Sequence, residues 1–223
     1  MVSNFVIVTS VINTPNKPLS YSKTRSVFTR KERFEQTKLT FESVKKNIPN
    51  CKILLIECSE FTDEENIYFQ EQCDYILNLW ENKSLHNNIF GLSKSLGEGT
   101  MTIKALEYIF KEKIEFDCMY KICGRYWLND DFKYEEYNNT KDVFKQIDNN
   151  INNIFTSFYK VTNKTAQILL LFLKKNELLM HNNIGYEVLF GRLLKLLNYN
   201  NVKFITYIGY EGNVTVCGSK YIG

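Results

Sequence analysis

The chain has 223 residues, 44% hydrophobic and 24% charged, with a net charge of +3. That length supports one sizeable core, and the composition is that of an ordinary globular protein. The small charge and scattered lysines give no support to a nucleic-acid partner, and the most apolar run, Ile168 to Leu173, is too short to span a bilayer.

In chain order, Phe5 to Ile12 is rich in β-branched residues and predicts a buried first strand rather than a leader peptide. A proline-containing loop follows. From about Ser22 to Asn47 the chain is polar, with Phe34, Phe41, Val44 and Ile48 on one helical face and Pro49 as the stop. Cys51 to Ser59 predicts a second strand, and Thr62 followed by acids predicts a helix start. Cys73 to Trp80 predicts a third strand. A loop and a helix carrying Ala105, Leu106, Ile109 and Phe110 lead to a fourth strand that opens "DCMYKICGRYWLNDDF".

Residues 133–152 are rich in Asn, Lys and Tyr and read as a polar excursion. A strand over Asn153 to Thr162, two apolar helices (about Thr165–Met180 and Gly185–Leu197) and a closing strand-like segment complete the chain. Strand–helix alternation predicts an α/β fold, a mostly parallel sheet with helices on both faces and a smaller C-terminal portion. One domain is expected, with residues 1–132 as its first half and 133–223 as its second.

Six cysteines without a CxxC pair, and only two histidines, argue against a zinc cluster. The cysteines read as small hydrophobes in a reducing, cytoplasmic compartment. His86 and His181 receive no role.

In a parallel sheet the ligand lies beyond the carboxyl ends of the strands. The candidates there are Thr9, Ser10, Glu57, the stretch Trp80 to Lys83, Gly124, Arg125 and Tyr126. No GxGxxG follows the first strand and no GxxxxGK[ST] occurs, which disfavours NAD and ATP. The cluster "GLSKSLGEGT" can aim backbone N–H groups and Lys94 at a phosphate; equally, Ser95-x-x-Glu98 has the form of a capping box. Strand alternation puts Lys121, Cys123 and Arg125 on one side, where Lys121 and Arg125 can meet one anion. Tyr126 and Trp127 face opposite ways, one toward the core, with Tyr126 the ring that faces a ligand.

The segments "YSKTRSVFTRKERFEQT", "IECSEFTDEE", "LGEG" and "KICGRYWLNDDF" together resemble GT-A-fold nucleotide-sugar glycosyltransferases. More narrowly, they are similar to small glycosyltransferase-like proteins of large DNA viruses and some bacteria, which for a viral protein implies the host cytoplasm. The resemblance implies transfer of a sugar from a nucleotide-diphosphate donor, UDP-linked, to a glycan or other hydroxyl acceptor, with residues 1–132 as the nucleotide-binding half and 133–223 as the acceptor-side half. It adds Arg25 and Arg33 to the donor-binding candidates, with Glu57 at the nucleobase or ribose. It also implies a carboxylate base such as Glu187, which on residue type alone is a favourable helix-start acid.

The D-x-D place of such enzymes reads "KICGRYWLNDD" here. Either Lys121, Arg125 and Lys94 neutralise the diphosphate directly, or Asp130 and Asp131 hold Mn²⁺ or Mg²⁺. The alternatives in other classes are a nucleotidyltransferase of related fold, which lacks its glycine-rich loop here, and a non-catalytic nucleotide- or sugar-binding module.

Overall fold

The apolar runs form the middle of one sheet. A computed structural model describes residues 3–223. In chain order it contains β1 (Asn4–Ser10), α1 (Arg30–Asn47), β2 (Cys51–Glu57), α2 (Asp63–Gln72), β3 (Tyr75–Asn78), α3 (Lys83–Ile89) and α4 (Lys94–Lys111). Then come β4 (Cys118–Cys123), β5 (Tyr126–Leu128), β6 (Asp142–Ile147), β7 (Asn150–Thr162), α5 (Asn163–Lys175), α6 (Glu177–His181) and α7 (Tyr186–Leu196). The chain closes with β8 (Val202–Ile205), β9 (Tyr210–Asn213) and β10 (Lys220–Ile222).

The main sheet has the order β3-β2-β1-β4-β7-β6-β8, and β5, β9 and β10 make a second, three-stranded sheet. Strands β1 to β4 are mutually parallel, β7 runs antiparallel to β4 and β6, and β8 is parallel to β6. β1 is buried along its whole length, which is why its middle, Phe5 to Val8, is continuously apolar and not alternating. Its two faces serve two cores. Val6 and Val8 meet Phe34 and Phe41 of α1 and Phe69 of α2, while Phe5 and Ile7 share the opposite core with residues of α4, α5 and α7.

Several predicted boundaries move, each for a local reason. The helix expected from Ser22 begins at Arg30, because Thr29 caps it in a full capping box with Glu32. Upstream, the hydroxyls of Ser22 and Ser26 bond backbone groups two residues on and hold turns in place of a helix. The presumed polar excursion contains β6, whose hairpin with β7 turns through Asp148 and Asn149, both at positive φ (52° and 54°). That pair is the signature of a two-residue type I′ turn. Among the described residues no helix is long and apolar enough to cross a membrane, and all six cysteines are free.

Candidate functional site

The strand order reverses between β1 and β4, the topological position where open α/β sheets bind ligands. A cavity of about 330 Å³ opens there, walled by Thr9 and Ser10 from the end of β1 and by Cys123, Arg125 and Tyr126 from the end of β4. Lys94, Gly97, Glu98 and Met101, at helical spacing, present one stripe of α4 to it. Arg25, Arg33, Phe90 and the segment Val214 to Val216 complete the wall.

The two strand ends are locked together tightly. Gly124 N–H donates to the Thr9 carbonyl at 2.8 Å. The Thr37 hydroxyl lies 3.2 Å from that of Ser10 and donates to the Gly124 carbonyl at 2.9 Å. A Cβ at Gly124 would stand 3.0 Å from Ser10 Cβ and 3.1 Å from Thr37 Oγ1, so any larger residue would push these neighbours back by a few tenths of an ångström.

Four cationic side chains line the cavity, and no carboxylate is paired with any of them among the ion pairs of the described residues. Arg33 is 3% exposed and donates through Nε to the Val11 carbonyl at 2.6 Å. Burial, and then the charge of Arg125, push its pKa down to about 9. Arg25 spends its donors on carbonyls: those of Lys17, Ile89, Phe90 and Gly91. It thereby ties the loop after β1 to the C-terminal end of α3. Arg125 is half-buried beside the Tyr126 ring (5.7 Å to its centre), and its Nε has no hydrogen-bond partner. Lys94 stands exposed at the mouth. A wall with this excess of positive charge can hold an anion.

Lys121 corrects an expectation. It does face the same side as Cys123, but its ammonium is fully buried and does not line the cavity. It donates to Glu98 Oε1 at 2.6 Å, to the Thr156 carbonyl at 2.9 Å and to Cys123 Sγ at 3.0 Å. Burial opposes its charge, but Cys123 and Glu98 outweigh that and hold its pKa above the ordinary lysine value. Burial likewise opposes the Glu98 charge, while Lys121 and Lys94 hold it below the usual carboxylate range. Glu98 is therefore no capping residue: the N-cap of α4 is Ser93, whose hydroxyl accepts from Leu96 N–H.

The glycine cluster is also helix, not a phosphate loop. Gly97 admits the Ile89 carbonyl, which would lie 2.8 Å from a Cβ, and Gly99 makes room for the Met180 side chain. Glu57 is fully buried and lies outside the cavity wall, accepting from Ile12 N–H, Cys58 N–H and the Ser59 hydroxyl. Burial pushes its pKa up, and those hydrogen bonds pull it partly back. Its place is beneath the turn that follows β1, where it holds the backbone.

Asp130 and Asp131 are not brought to the cavity. Asp130 is exposed and paired with Lys46 at 2.8 Å, and Asp131 accepts from the Tyr207 hydroxyl at 3.2 Å. Lys83 lies over the Trp80 ring, 4.1 Å from its centre, and His86 bonds the Trp80 carbonyl. That cluster is separate from the cavity, and His181 is exposed. Glu187, in the first turn of α7, lines a smaller cleft that shares Tyr21, Lys94 and Glu98 with the main cavity.

Sequence reasoning missed Tyr21 and Phe90, each more than ten residues from the preceding strand end, and Val214 to Val216, which follow the short strand β9 near the end of the chain. As a divalent-metal site the residues do not fit: Asp130 and Asp131 have other partners and Glu98 is held by Lys121. Among the described residues no three His, Cys, Asp or Glu side chains converge. Compared with known proteins, the chain matches no family model and no curated protein.

Proposed function

We propose that this chain is a glycosyltransferase of GT-A-like fold that takes a nucleotide-diphosphate sugar, UDP-linked in the first instance, and passes the sugar to a hydroxyl acceptor. One observation carries the reading: Arg25, Arg33, Lys94 and Arg125 surround a cavity at the β1/β4 switch point with no carboxylate partner. A diphosphate supplies the missing negative charge, and the apolar wall of Phe90, Met101 and Val214 suits the flat remainder of a nucleotide.

In this reading Arg125 and Arg33 are the main diphosphate ligands. Charge develops on the departing diphosphate as the glycosidic bond breaks, and guanidinium groups already fixed in place stabilise it without reorganisation. Glu187, beside the main cavity, takes the acceptor proton. Lys121 acts at one remove by holding Glu98.

The test is a thermal-shift and calorimetric screen of UDP, UDP-sugars, NAD and ATP, each with and without EDTA. UDP or a UDP-sugar should raise Tm, since a ligand at about 100 times its Kd adds about 2.7 kcal/mol to the native state. A shift with NAD or ATP alone would overturn the reading. Complete loss of UDP binding in EDTA, restored by Mn²⁺, would overturn the arginine clamp.

A further inference from the structure

The smaller cleft has a charge pattern opposite to its neighbour's. It measures about 250 Å³ and is lined by Tyr21, Lys94, Ser95, Glu98, Tyr186 and Glu187. The three arginines of the main cavity are absent from it, and both carboxylates of the region face it. Its one cation, Lys94, feels the charge of both carboxylates without an ion pair to either. An anion entering here would meet two carboxylates against a single ammonium.

We infer that this cleft is the acceptor subsite and that it takes an uncharged polyhydroxyl compound, a saccharide, and not a phosphate- or carboxylate-bearing acceptor. The inference rests on the donor reading of the neighbouring cavity. Its own support is local. Among the described residues Glu187 has no hydrogen-bond or ion-pair partner, and Glu98, bound to Lys121 through Oε1, has none at Oε2. Ser95 is 7% exposed and its hydroxyl lacks a partner. These groups ask for hydroxyl hydrogens, and a carboxylate accepting from a sugar hydroxyl makes a charge-assisted bond.

Size and position agree. The cleft falls below the roughly 300–1,000 Å³ of drug-sized sites, which suits one sugar ring. Tyr21, 61% exposed, offers an aromatic face at the boundary of the two spaces. The two spaces share Tyr21, Lys94 and Glu98, so a donor in the main cavity and an acceptor in the cleft would meet at that common wall. Tyr186 fixes that wall from behind: its ring is buried and its hydroxyl donates to Thr102 at 2.9 Å.

Saturation-transfer NMR on the full chain tests this with methyl glucoside, methyl galactoside and methyl mannoside against glucuronate and glucose 6-phosphate, recorded with and without UDP. At least one neutral glycoside should bind tenfold or more tightly than the anionic sugars. Glu187→Lys should reverse that order, and the isosteric Glu187→Gln should narrow it, with UDP affinity within about twofold of wild type in both. The inference fails if no neutral glycoside binds, if the anionic sugars bind as well in the wild type, or if both folded variants keep the wild-type order. UDP affinity is read on the same samples. Loss of UDP binding with retained neutral-sugar preference would count against the donor reading alone.

Discussion

Lys121 Nζ and Glu98 Oε1 are 2.6 Å apart, joining the central strand β4 to the wall of α4 across the floor of the cavity. The lysine side chain is 0% exposed and the glutamate 14%. Breaking a buried pair leaves an uncompensated charge, so Glu98→Gln should cost about 3–5 kcal/mol. The double variant Glu98→Gln with Lys121→Met should recover most of that. Because the folded-state pKa of Glu98 is depressed, its contribution is present above the unfolded carboxyl pKa and is lost as pH falls through the lower folded value. Urea melts from pH 3 to 7 check both statements; a single variant as stable as wild type would show that the pair holds nothing.

Arg33 and Arg125 make a second, repulsive pair. Arg33 is buried with no ion-pair partner; burial and the charge of Arg125 oppose its own charge and outweigh the support it has from Glu57. Removing a buried charge that is unfavourable on balance relieves the native state, so Arg33→Met should leave the ligand-free Tm unchanged or higher while abolishing most of the UDP-induced shift. Arg125→Ala should weaken UDP roughly 10- to 100-fold, the worth of one or two charge-assisted bonds. Arg125→Lys should restore only part, since the planar fork is lost. Unchanged UDP affinity in folded Arg125→Ala would make that residue structural.

The sequence made the sheet legible because strands buried on both faces are continuously apolar, as in β1 and β2. It hid β6, whose Lys145, Gln146 and Ile147 are only half-buried and sit among polar neighbours. Alternation put Lys121 and Cys123 on one side, as found, but a one-dimensional pattern holds no sign that Glu98, 23 residues earlier, waits across the gap to neutralise Lys121. Adjacent aspartates looked like metal ligands because their composition suits a metal. Lys46 and Tyr207, which claim them, come from remote parts of the chain. Gly97 and Gly99 looked like a phosphate loop for the same reason, and their neighbours Ile89 and Met180 show instead that they serve packing.

Glu57 gives a pH dependence of opposite sign to that of Glu98. Burial raises its pKa above the unfolded value, so its contribution is full below the unfolded carboxyl pKa and declines as pH rises toward and through the folded value. Glu57→Gln removes that decline while keeping one acceptor oxygen for Ile12 and Cys58. The stability advantage of wild type over Glu57→Gln should therefore shrink as pH is raised from 4 to 8 in chemical denaturation. A gap that widens with pH would mean that the hydrogen bonds and Arg33 dominate over burial.

Glu187 separates an enzyme from a binding module. It sits in the first turn of α7, half-buried, in the cleft that adjoins the donor cavity and outside the arginine cluster. A general base acts on the acceptor hydroxyl and leaves the donor contacts alone. Glu187→Gln keeps the shape and removes the proton acceptor, so UDP affinity should hold while turnover falls by roughly 10²–10⁴-fold. The acidic limb of the pH–rate profile, which reports loss of the base on protonation, should vanish in the same variant. Transfer to the glycoside selected by the binding screen, assayed beside UDP calorimetry on one preparation, reads both quantities. Normal turnover in folded Glu187→Gln would return Glu187 to the ordinary role of an acid at a helix N-terminus. The base would then have to be sought at Glu98, the other carboxylate that faces the cleft.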